Sequence, residues 1–205
     1  MEIKKVTRIS IFIDYDNFSI SYSKINNIKE KDITIWDKLN GLFLSYYKNK
    51  FINNEFEAME HTGTFLCVGI SDFLVFEQEK LNKKHFQALD RKLGFIIRYG
   101  NRAPSKKDKK GIFQLGKEKG VDAEIICQML MGAFLDHYDA CILMSDDGDY
   151  IPAIRRVQEY FGKKVIQAGF HDSKLRNQAF GHIPLEKMSA DFHELEEVSE
   201  NKLYG

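Results

Sequence analysis

The sequence predicts an α/β fold with three layers, in which helices cover both faces of a central, mostly parallel sheet. Short apolar segments with the composition of buried strands alternate along the chain with longer segments whose apolar residues repeat at helical spacing. Strands that alternate with helices imply right-handed crossovers and a parallel sheet. Two of the apolar segments also run directly into aspartates, as strands do where they end at a ligand-binding crevice.

The predicted elements can be placed in chain order. Strands are expected at residues 7–13, 63–69, 95–99, 140–144 and 164–168, each a short apolar run. Helices are expected at residues 33–50, 81–93, 121–135 and 151–160, where the apolar residues follow a helical face. Pro152 suits the first turn of the last helix, and Gly162 suits a position just past its end.

Length and composition restrict the class of protein. The 205 residues suit a single domain with a buried core, and 43% hydrophobic and 29% charged residues describe an ordinary soluble protein. Because the formal net charge is zero, any binding of nucleic acid must come from a local patch. No segment approaches the run of about 18 apolar residues that spans a membrane, and the N-terminus is unlike a signal peptide. We therefore expect a cytoplasmic protein without a membrane partner.

The cysteines and the C-terminus complete this outline. Cys67, Cys127 and Cys141 are widely spaced, and each lies in an apolar segment. We expect buried thiols in a reducing compartment, with no disulfide framework and no zinc site.

Residues 1–185 are predicted to form the domain, and the acidic residues 186–205 are predicted to form an appended helix or a mobile end. The oligomeric state stays open, with a homodimer among the options.

Aspartates follow two of the predicted strands. Asp14 and Asp16 come after the first strand, and Asp146, Asp147 and Asp149 come after the strand at 140–144. The carboxyl ends of strands in an α/β fold converge in one crevice. Two carboxylates about 4 Å apart repel each other by roughly 4 kcal/mol at an effective dielectric of about 20. A divalent cation is the simplest partner that offsets such repulsion.

Asp122 is the third element of the predicted site. It lies in the first turn of the helix at 121–135, a position where the helix dipole alone already favours a carboxylate. In a doubly wound sheet, however, the N-terminus of a crossover helix lies at the same edge as the carboxyl ends of the strands. The aspartates expected to meet there are Asp14, Asp122, Asp147 and Asp149.

Several motifs together make the chain recognisable. They are Phe12-Ile13-Asp14-Tyr15-Asp16-Asn17-Phe18, Lys119-Gly120-Val121-Asp122, Asp139, Ser145, Asp147-Gly148-Asp149-Tyr150 and Gly162-Lys163. Taken jointly, they resemble the NYN domain family, the LabA-like members of the PIN-like nuclease superfamily. The likeness extends from about residue 7 to about residue 185.

This resemblance implies a PIN-like, Rossmann-like fold and a metal-dependent ribonuclease. The residues that would hold Mg²⁺ or Mn²⁺ and serve catalysis are Asp14, Asp122, Asp147 and Asp149. Asn17 and Ser145 would position the metal shell or the substrate phosphate. A metal-activated water would attack phosphorus, so no side-chain nucleophile is needed. The implied partner is RNA, in single-stranded or loop regions.

Two positions depart from the family pattern. Glycine is common in the family where Asp146 stands, and an acidic residue is common where Gln128 stands. Either the carboxylate gained at Asp146 compensates for the carboxylate lost at Gln128, or the two changes alter the affinity for the metal. The sequence leaves both interpretations open.

Basic residues concentrate in the stretch that leads to Asp122. They are Arg98, Arg102, Lys106, Lys107, Lys109, Lys110, Lys117 and Lys119. Such runs are commonly solvated loops, but a position beside an acidic site favours contacts with a phosphodiester backbone. Arg102, Lys117 and Lys119 are accordingly predicted to bind substrate. Three aromatic residues are candidates for stacking on unpaired bases: Tyr15, Phe18 and Phe113.

Two other functions stay open. Asp14-Tyr15-Asp16 after a strand also resembles the start of the haloacid-dehalogenase-like phosphatase motif, in which Asp14 would be phosphorylated and Asp16 would be the acid/base. Phe18 and the segment that ends at Asp122 do not fit that family. The second alternative is an inactive module that binds RNA or a partner. Clustered carboxylates are costly to keep without a purpose, which disfavours it.

Overall fold

The computed structural model of the chain describes residues 5–26, 36–52, 57–71, 77–107, 109–111, 113–114, 116–170 and 172–186. The first half contains β1 (Val6–Asp14), α1 (Tyr15–Asn26), α2 (Trp36–Phe51), β2 (Ala58–Ile70), α3 (Glu77–Leu89) and β3 (Phe95–Arg102). Three short strands follow, β4 (Lys106–Lys107), β5 (Phe113–Gln114) and β6 (Glu118–Lys119). The remainder contains α4 (Val121–Phe134), β7 (Ala140–Met144), α5 (Ile151–Phe161), β8 (Lys164–Gly169) and β9 (Gly181–Pro184).

One sheet of seven strands organises the fold, in the order β6-β3-β2-β1-β7-β8-β9. Neighbouring strands are parallel except for β3 and β6, which are antiparallel. β4 and β5 pair separately as a small antiparallel hairpin. β1 therefore lies at the centre of the sheet, and the sheet is mostly parallel, as the sequence predicts.

Each face of the sheet carries its own hydrophobic core. Ile9, Ile11 and Ile13 of β1 face a core to which α1, α2 and α3 contribute. Phe12 faces the opposite core, which is formed with α4 and α5. Successive residues of a strand point to opposite faces, so β1 contributes to both cores. Helices on both faces give the predicted three-layer α/β/α architecture.

Most predicted elements are confirmed, with shifted ends. β2 and β3 are longer than the predicted strands, whereas α3 ends at Leu89. The prediction of a helix to residue 93 is therefore wrong beyond Leu89, and Leu93 is fully exposed in the turn before β3. The sequence did not predict α1, β9 or the three short strands. Strands of two residues, such as β4, β5 and β6, have no periodicity to detect. Residues 33–35 of a predicted helix and residues 187–205 lie outside the described part of the chain.

The exposure of the cysteines corrects one prediction. Cys67 and Cys141 are buried free thiols, as expected, but Cys127 is an exposed free thiol, so its predicted burial is wrong. The reason is that α4 has more apolar residues than positions facing the core, and Met131 and Phe134 are exposed as well. Among the helices that the structure describes, none has the length and apolar character needed to cross a membrane.

Leu143→Ala is expected to lower the free energy of unfolding by about 2–5 kcal/mol, because the substitution leaves a cavity in the core beneath α4 and α5. Leu143 is fully buried in β7, whereas Leu93 is fully exposed, so Leu93→Ala is the matched control. The control is expected to change the free energy by less than about 0.5 kcal/mol. Urea unfolding of both variants measures the difference, and equal losses would contradict the burial of Leu143.

Candidate functional site

The site lies where β1 and β7 end side by side. The two strands pair with Ile13 opposite Met144, so the next residues, Asp14 and Ser145, are neighbours. From β1 the chain continues into β2 and β3 on one side, and it returns to β7 on the other side. Such a switch in strand order opens a crevice outside the carboxyl ends of the strands, where open α/β sheets bind their ligands.

Alternation along the two strands turns Asp14 and Ser145 to the face that α4 and α5 cover. Phe12 and Leu143, which precede them by two residues, belong to the hydrophobic core on that face. α4 begins at the same edge after Gly120, whose φ of 86° lies in the left-handed region, and Asp122 is in its first turn. The topology therefore brings a helix-start aspartate to the strand-end residues.

Three carboxylates form a close group at this edge, hereafter the carboxylate group: Asp122, Asp147 and Asp149. One carboxylate oxygen of each lies within 4.8 Å of the others. Asp122 and Asp147 are half-buried, and Asp149 is exposed. Within the described part of the chain, no lysine or arginine forms a salt bridge with these residues. Among the described residues, the negative charge of the group is therefore not offset by a salt bridge.

Asp14 lies behind the carboxylate group and is only 2% exposed. Its Oδ1 accepts a hydrogen bond from the backbone N–H of Asn17 at 3.2 Å, and its Oδ2 accepts from the hydroxyl of Ser145 at 3.1 Å. The Tyr150 hydroxyl also lies within hydrogen-bond distance of Oδ2, at 3.1 Å. Burial, and then the negative charge of Asp122, raise the pKa of Asp14 to about 6 despite these hydrogen bonds. Asp14 is not one of the three clustered carboxylates, and whether it binds an ion directly stays a prediction.

Tyr150 connects Asp14 to the carboxylate group. Its hydroxyl lies 3.1 Å from Oδ2 of Asp14 and 3.0 Å from Oδ1 of Asp122, and the residue is fully buried. Burial and the charges of the two aspartates raise the pKa of the hydroxyl, which keeps it protonated and able to donate. The sequence alone assigns no role to Tyr150. The available signal was its position directly after Asp149, at the start of a helix.

Hydrogen bonds within the segment between β7 and α5 hold Asp147 in place. The Ser145 hydroxyl accepts from the backbone N–H of Asp147 at 3.1 Å, and the Asp147 carboxylate accepts from the N–H of Asp149 at 2.9 Å. The side-chain carbonyl of Asn17 accepts from the N–H of Asp146 at 3.0 Å. Ser145 and Asn17, predicted to position the metal shell or the substrate, thus contact the segment that carries Asp147.

Asp146 is turned away from the carboxylate group. Its carboxylate accepts from the backbone N–H of Phe170 at 3.2 Å and from the side-chain amide of Gln167 at 2.9 Å. Burial raises the pKa of Asp146. At Gly169, a β-carbon would lie only 2.3 Å from Oδ1 of Asp146, so this close approach requires glycine. Asp146 therefore fastens the segment to the end of β8.

Gln128 is also outside the carboxylate group. Its side-chain amide donates to Oε1 of Glu124 at 2.8 Å. Oε1 of Glu124 in turn lies 3.6 Å from Nε of Arg98. The two departures from the family pattern, Asp146 and Gln128, therefore have separate local partners and do not exchange one charge for another within the site.

Arg102 lies in an ion-pair cluster and not at the surface. Its side chain is 6% exposed and pairs with Asp16 and, at 3.1 Å, with Glu118. It also donates to the backbone carbonyls of Gly69 at 2.7 Å and Gly116 at 2.9 Å. Burial, together with the charge of Asp16, raises the pKa of Glu118. Arg102, predicted to bind substrate, thus holds the segment before α4 against the sheet.

The lysines of the predicted basic stretch are exposed: Lys106, Lys107, Lys109, Lys110, Lys117 and Lys119. The first four lie on or between the strands of the β4–β5 hairpin. Lys117 and Lys119 flank Glu118 just before α4, so they are close in sequence to Asp122. Lys117 and Lys119 therefore bring exposed positive charge close to Asp122 along the chain.

The predicted aromatic contacts with bases are not supported. Phe18 is 3% exposed and packs in the core on the α1 side, so the stacking prediction is wrong for this residue. Tyr15 packs edge-on against Phe86, with ring centroids 4.7 Å apart. The side chain of Phe113 lies outside the described part of the structure.

Comparison with known proteins gives a family match and a match to a solved structure. The family model of the NYN domain matches residues 8–186. No curated protein matches the chain. Among solved structures, the crystal structure of a protein of unknown function from Vibrio parahaemolyticus is similar to this chain with a TM-score of 0.56, covering 90% of this chain and 96% of the other at 18% sequence identity. At that identity the likeness concerns the fold alone.

Asp14→Asn is expected to change how stability depends on pH. Because burial raises the folded-state pKa of Asp14 from 3.8 to about 6, the folded protein binds more protons than the unfolded chain between these values. The stability contributed by this proton is complete below about pH 4 and is lost as the pH rises toward 6, by up to about 1.4 kcal/mol per pH unit. Asparagine does not ionise, so the decline is expected to be shallower in the variant.

Urea unfolding between pH 4 and pH 7, with EDTA present, measures this difference. Glu60→Gln, at an exposed glutamate of β2, is the matched control and is expected to keep the decline of the unmodified protein. An equally steep decline in Asp14→Asn would show that Asp14 ionises as an exposed carboxyl does.

Proposed function

Because the chain belongs to the NYN domain family of the PIN-like superfamily, we propose that it is a divalent-metal-dependent ribonuclease. NYN domains are generally nucleases. The observation that carries the proposal is the carboxylate group. One oxygen of each carboxylate lies within 4.8 Å of the others, and no cationic side chain among the described residues forms a salt bridge with them. It stands at the crevice where the fold class binds its ligands.

The donor set fits Mg²⁺ or Mn²⁺. Asp122, Asp147 and Asp149 offer only carboxylate oxygens, the ligands that hard divalent cations prefer. Two carboxylates about 4 Å apart repel each other by roughly 4 kcal/mol at an effective dielectric of about 20, and a bound cation would reverse the sign of this contribution. Asp14 would add a fourth negative charge from behind Tyr150.

The reaction follows from the chemistry of this group. When bound, the ion supplies an acidified water as the nucleophile and positive charge for the oxyanion that develops on phosphorus. Asp122, Asp147 and Asp149 would hold and orient the ion. Ser145 and Asn17 fix the conformation of the segment around Asp147 through their hydrogen bonds. No side chain is needed as a nucleophile.

RNA is the proposed substrate, in single-stranded or loop regions. The protein has no net charge, so attraction of a phosphodiester backbone must be local. The exposed Lys117 and Lys119, together with the lysines of the β4–β5 hairpin, supply this local charge next to Asp122. All three cysteines are free thiols, which is compatible with the reducing cytoplasm that we propose as the location.

The structure disfavours a phosphatase mechanism. Such a mechanism would need Asp14 as the nucleophile, but Asp14 is 2% exposed and both of its oxygens accept hydrogen bonds. Attack on a phosphate would first have to break these contacts. A binding module without activity is the remaining alternative, and RNA binding without metal-dependent cleavage would identify it.

Asp147→Asn is expected to reduce cleavage of RNA by at least about 100-fold, because even partners outside the ligand shell affect metal sites by 10–100-fold. Asp136→Asn is the matched control: Asp136 has an exposed carboxylate and pairs with Arg8 at the start of β1, away from the site. Its φ of 56° is one that asparagine adopts readily.

The measurement is cleavage of single-stranded and of duplex RNA with Mn²⁺ and with EDTA. We expect the unmodified protein and Asp136→Asn to cleave single-stranded RNA with Mn²⁺ only. Cleavage that persists in EDTA or in Asp147→Asn would contradict the proposed site, and preferential cleavage of the duplex would contradict the proposed substrate.

Replacing Lys117 and Lys119 together by alanine is expected to weaken RNA binding and to make it less dependent on salt. Each lost phosphate contact lowers the slope of log K against log salt concentration by about 0.7 for a single strand, so the two lysines together account for about 1.4. The matched control replaces Lys83 and Lys84 of α3, on the opposite face of the sheet. Titrations in EDTA at several salt concentrations give both slopes, and equal slopes would exclude Lys117 and Lys119 from the RNA surface.

A further inference from the structure

The Tyr150 hydroxyl occupies a position that the proposed reaction does not explain. It lies within hydrogen-bond distance of two carboxylates at once, 3.1 Å from Oδ2 of Asp14 and 3.0 Å from Oδ1 of Asp122. Among the described residues, it is the sole hydrogen-bond donor to the Asp122 carboxylate. Asp14, by contrast, also accepts from Ser145 and Asn17.

The Tyr150 side chain is held rigidly enough to orient what it contacts. The residue is fully buried and belongs to the hydrophobic core formed with α4 and α5. It also stands at the start of α5, where its backbone N–H donates to the carbonyl of Asp147 at 3.3 Å. A buried ring fixed by packing places its hydroxyl with little freedom, so a carboxylate bound to that hydroxyl loses rotational freedom as well.

We propose that Tyr150 is a positioning residue that fixes the Asp122 carboxylate for a divalent cation and connects it to Asp14, so that Asp14 acts on the site through Tyr150. This inference rests on the proposed function and deepens it. Asp122 is half-buried in the first turn of a helix, and Asp147 and Asp149 repel it. The hydroxyl holds one of its oxygens against that repulsion and leaves the other oxygen available.

Tyr150→Phe tests the role of the hydroxyl, because it keeps the ring in the core. Partners that orient metal ligands usually contribute 10–100-fold to metal affinity, so the Kd for Mn²⁺ is expected to rise by about that factor. Cleavage by the variant is expected to be weak at low Mn²⁺ and to recover toward that of the unmodified protein at saturating Mn²⁺. Calorimetric titration with Mn²⁺ alone gives the affinity without reference to activity.

Tyr138→Phe is the matched control. Tyr138 is also fully buried in the same core, and its hydroxyl donates to the backbone carbonyl of Met129 at 2.6 Å, away from the aspartates. This variant loses a buried tyrosine hydroxyl as well, but its Kd for Mn²⁺ is expected to stay unchanged. An unchanged Kd in Tyr150→Phe, or an equal rise in both variants, would overturn the proposal.

A second measurement separates action through Tyr150 from direct binding by Asp14. If Asp14 acts through the hydroxyl, the double variant Asp14→Asn/Tyr150→Phe is expected to bind Mn²⁺ about as weakly as Tyr150→Phe alone. If the effects of the two substitutions on the Kd multiply independently, the connection is overturned, and Asp14 acts on the ion without Tyr150, as a ligand or through its charge.

The failure of this inference can be told apart from failure of the proposed function. If the unmodified protein neither binds Mn²⁺ nor cleaves RNA, the proposed function is wrong, and the role of Tyr150 at a metal site is wrong with it. If the unmodified protein binds Mn²⁺ and cleaves, and Asp147→Asn does not cleave, an unchanged Kd in Tyr150→Phe overturns the positioning role alone.

Discussion

The parallel pairing of β1 with β7 is the constraint on which the site depends. The register that places Ile13 opposite Met144 makes Asp14 and Ser145 neighbours, and alternation sends both to the face of α4 and α5. A slip of one residue in either strand would turn its polar end toward the other core, where Ile11 and Ile13 pack. Because α4 begins at the same edge, the approach of Asp122 follows from the same topology. The sheet thus places Asp14 and Ser145, whereas Asp147 and Asp149 are placed by the segment between β7 and α5.

This constraint carries an electrostatic cost that the surrounding donors only partly offset. Asp14 is buried beside Asp122, and the hydrogen bonds from Asn17 and Ser145, with a Tyr150 hydroxyl shared between the two aspartates, do not restore its ordinary pKa. The same low-dielectric setting that penalises an unpaired carboxylate would strengthen its attraction to a bound cation. Stability in the absence of an ion and affinity for an ion therefore impose opposite demands at this position. Natural proteins commonly retain such destabilising groups at functional sites.

The features that could be predicted from the sequence are those that hydrophobic periodicity and sheet topology determine. Apolar runs predict the sheet, and the position of Asp122 at a helix start predicts its approach to the residues after β7. The direction of each side chain in the segment after β7 depends instead on distant partners. Asp146 is held by Phe170 and Gln167, which no local pattern identifies. Arginine and phenylalanine serve both cores and binding surfaces, so only tertiary neighbours could show that Arg102 and Phe18 are buried.

The segment from Ser145 to Tyr150 shows why adjacent residues of one chemical type take different roles. Asp146 is tied to the end of β8, Asp147 stands in the carboxylate group, and Tyr150 begins α5 with its ring in the core. The separation of Asp14 from Asp122 is therefore coupled to the packing of α5, since a shift of this helix would move the hydroxyl that lies between them. A buried helix, more than the exposed end of the segment, then determines the geometry of the acidic site. Substitutions in the core beneath α5 would reach Asp14 and Asp122 through this hydroxyl.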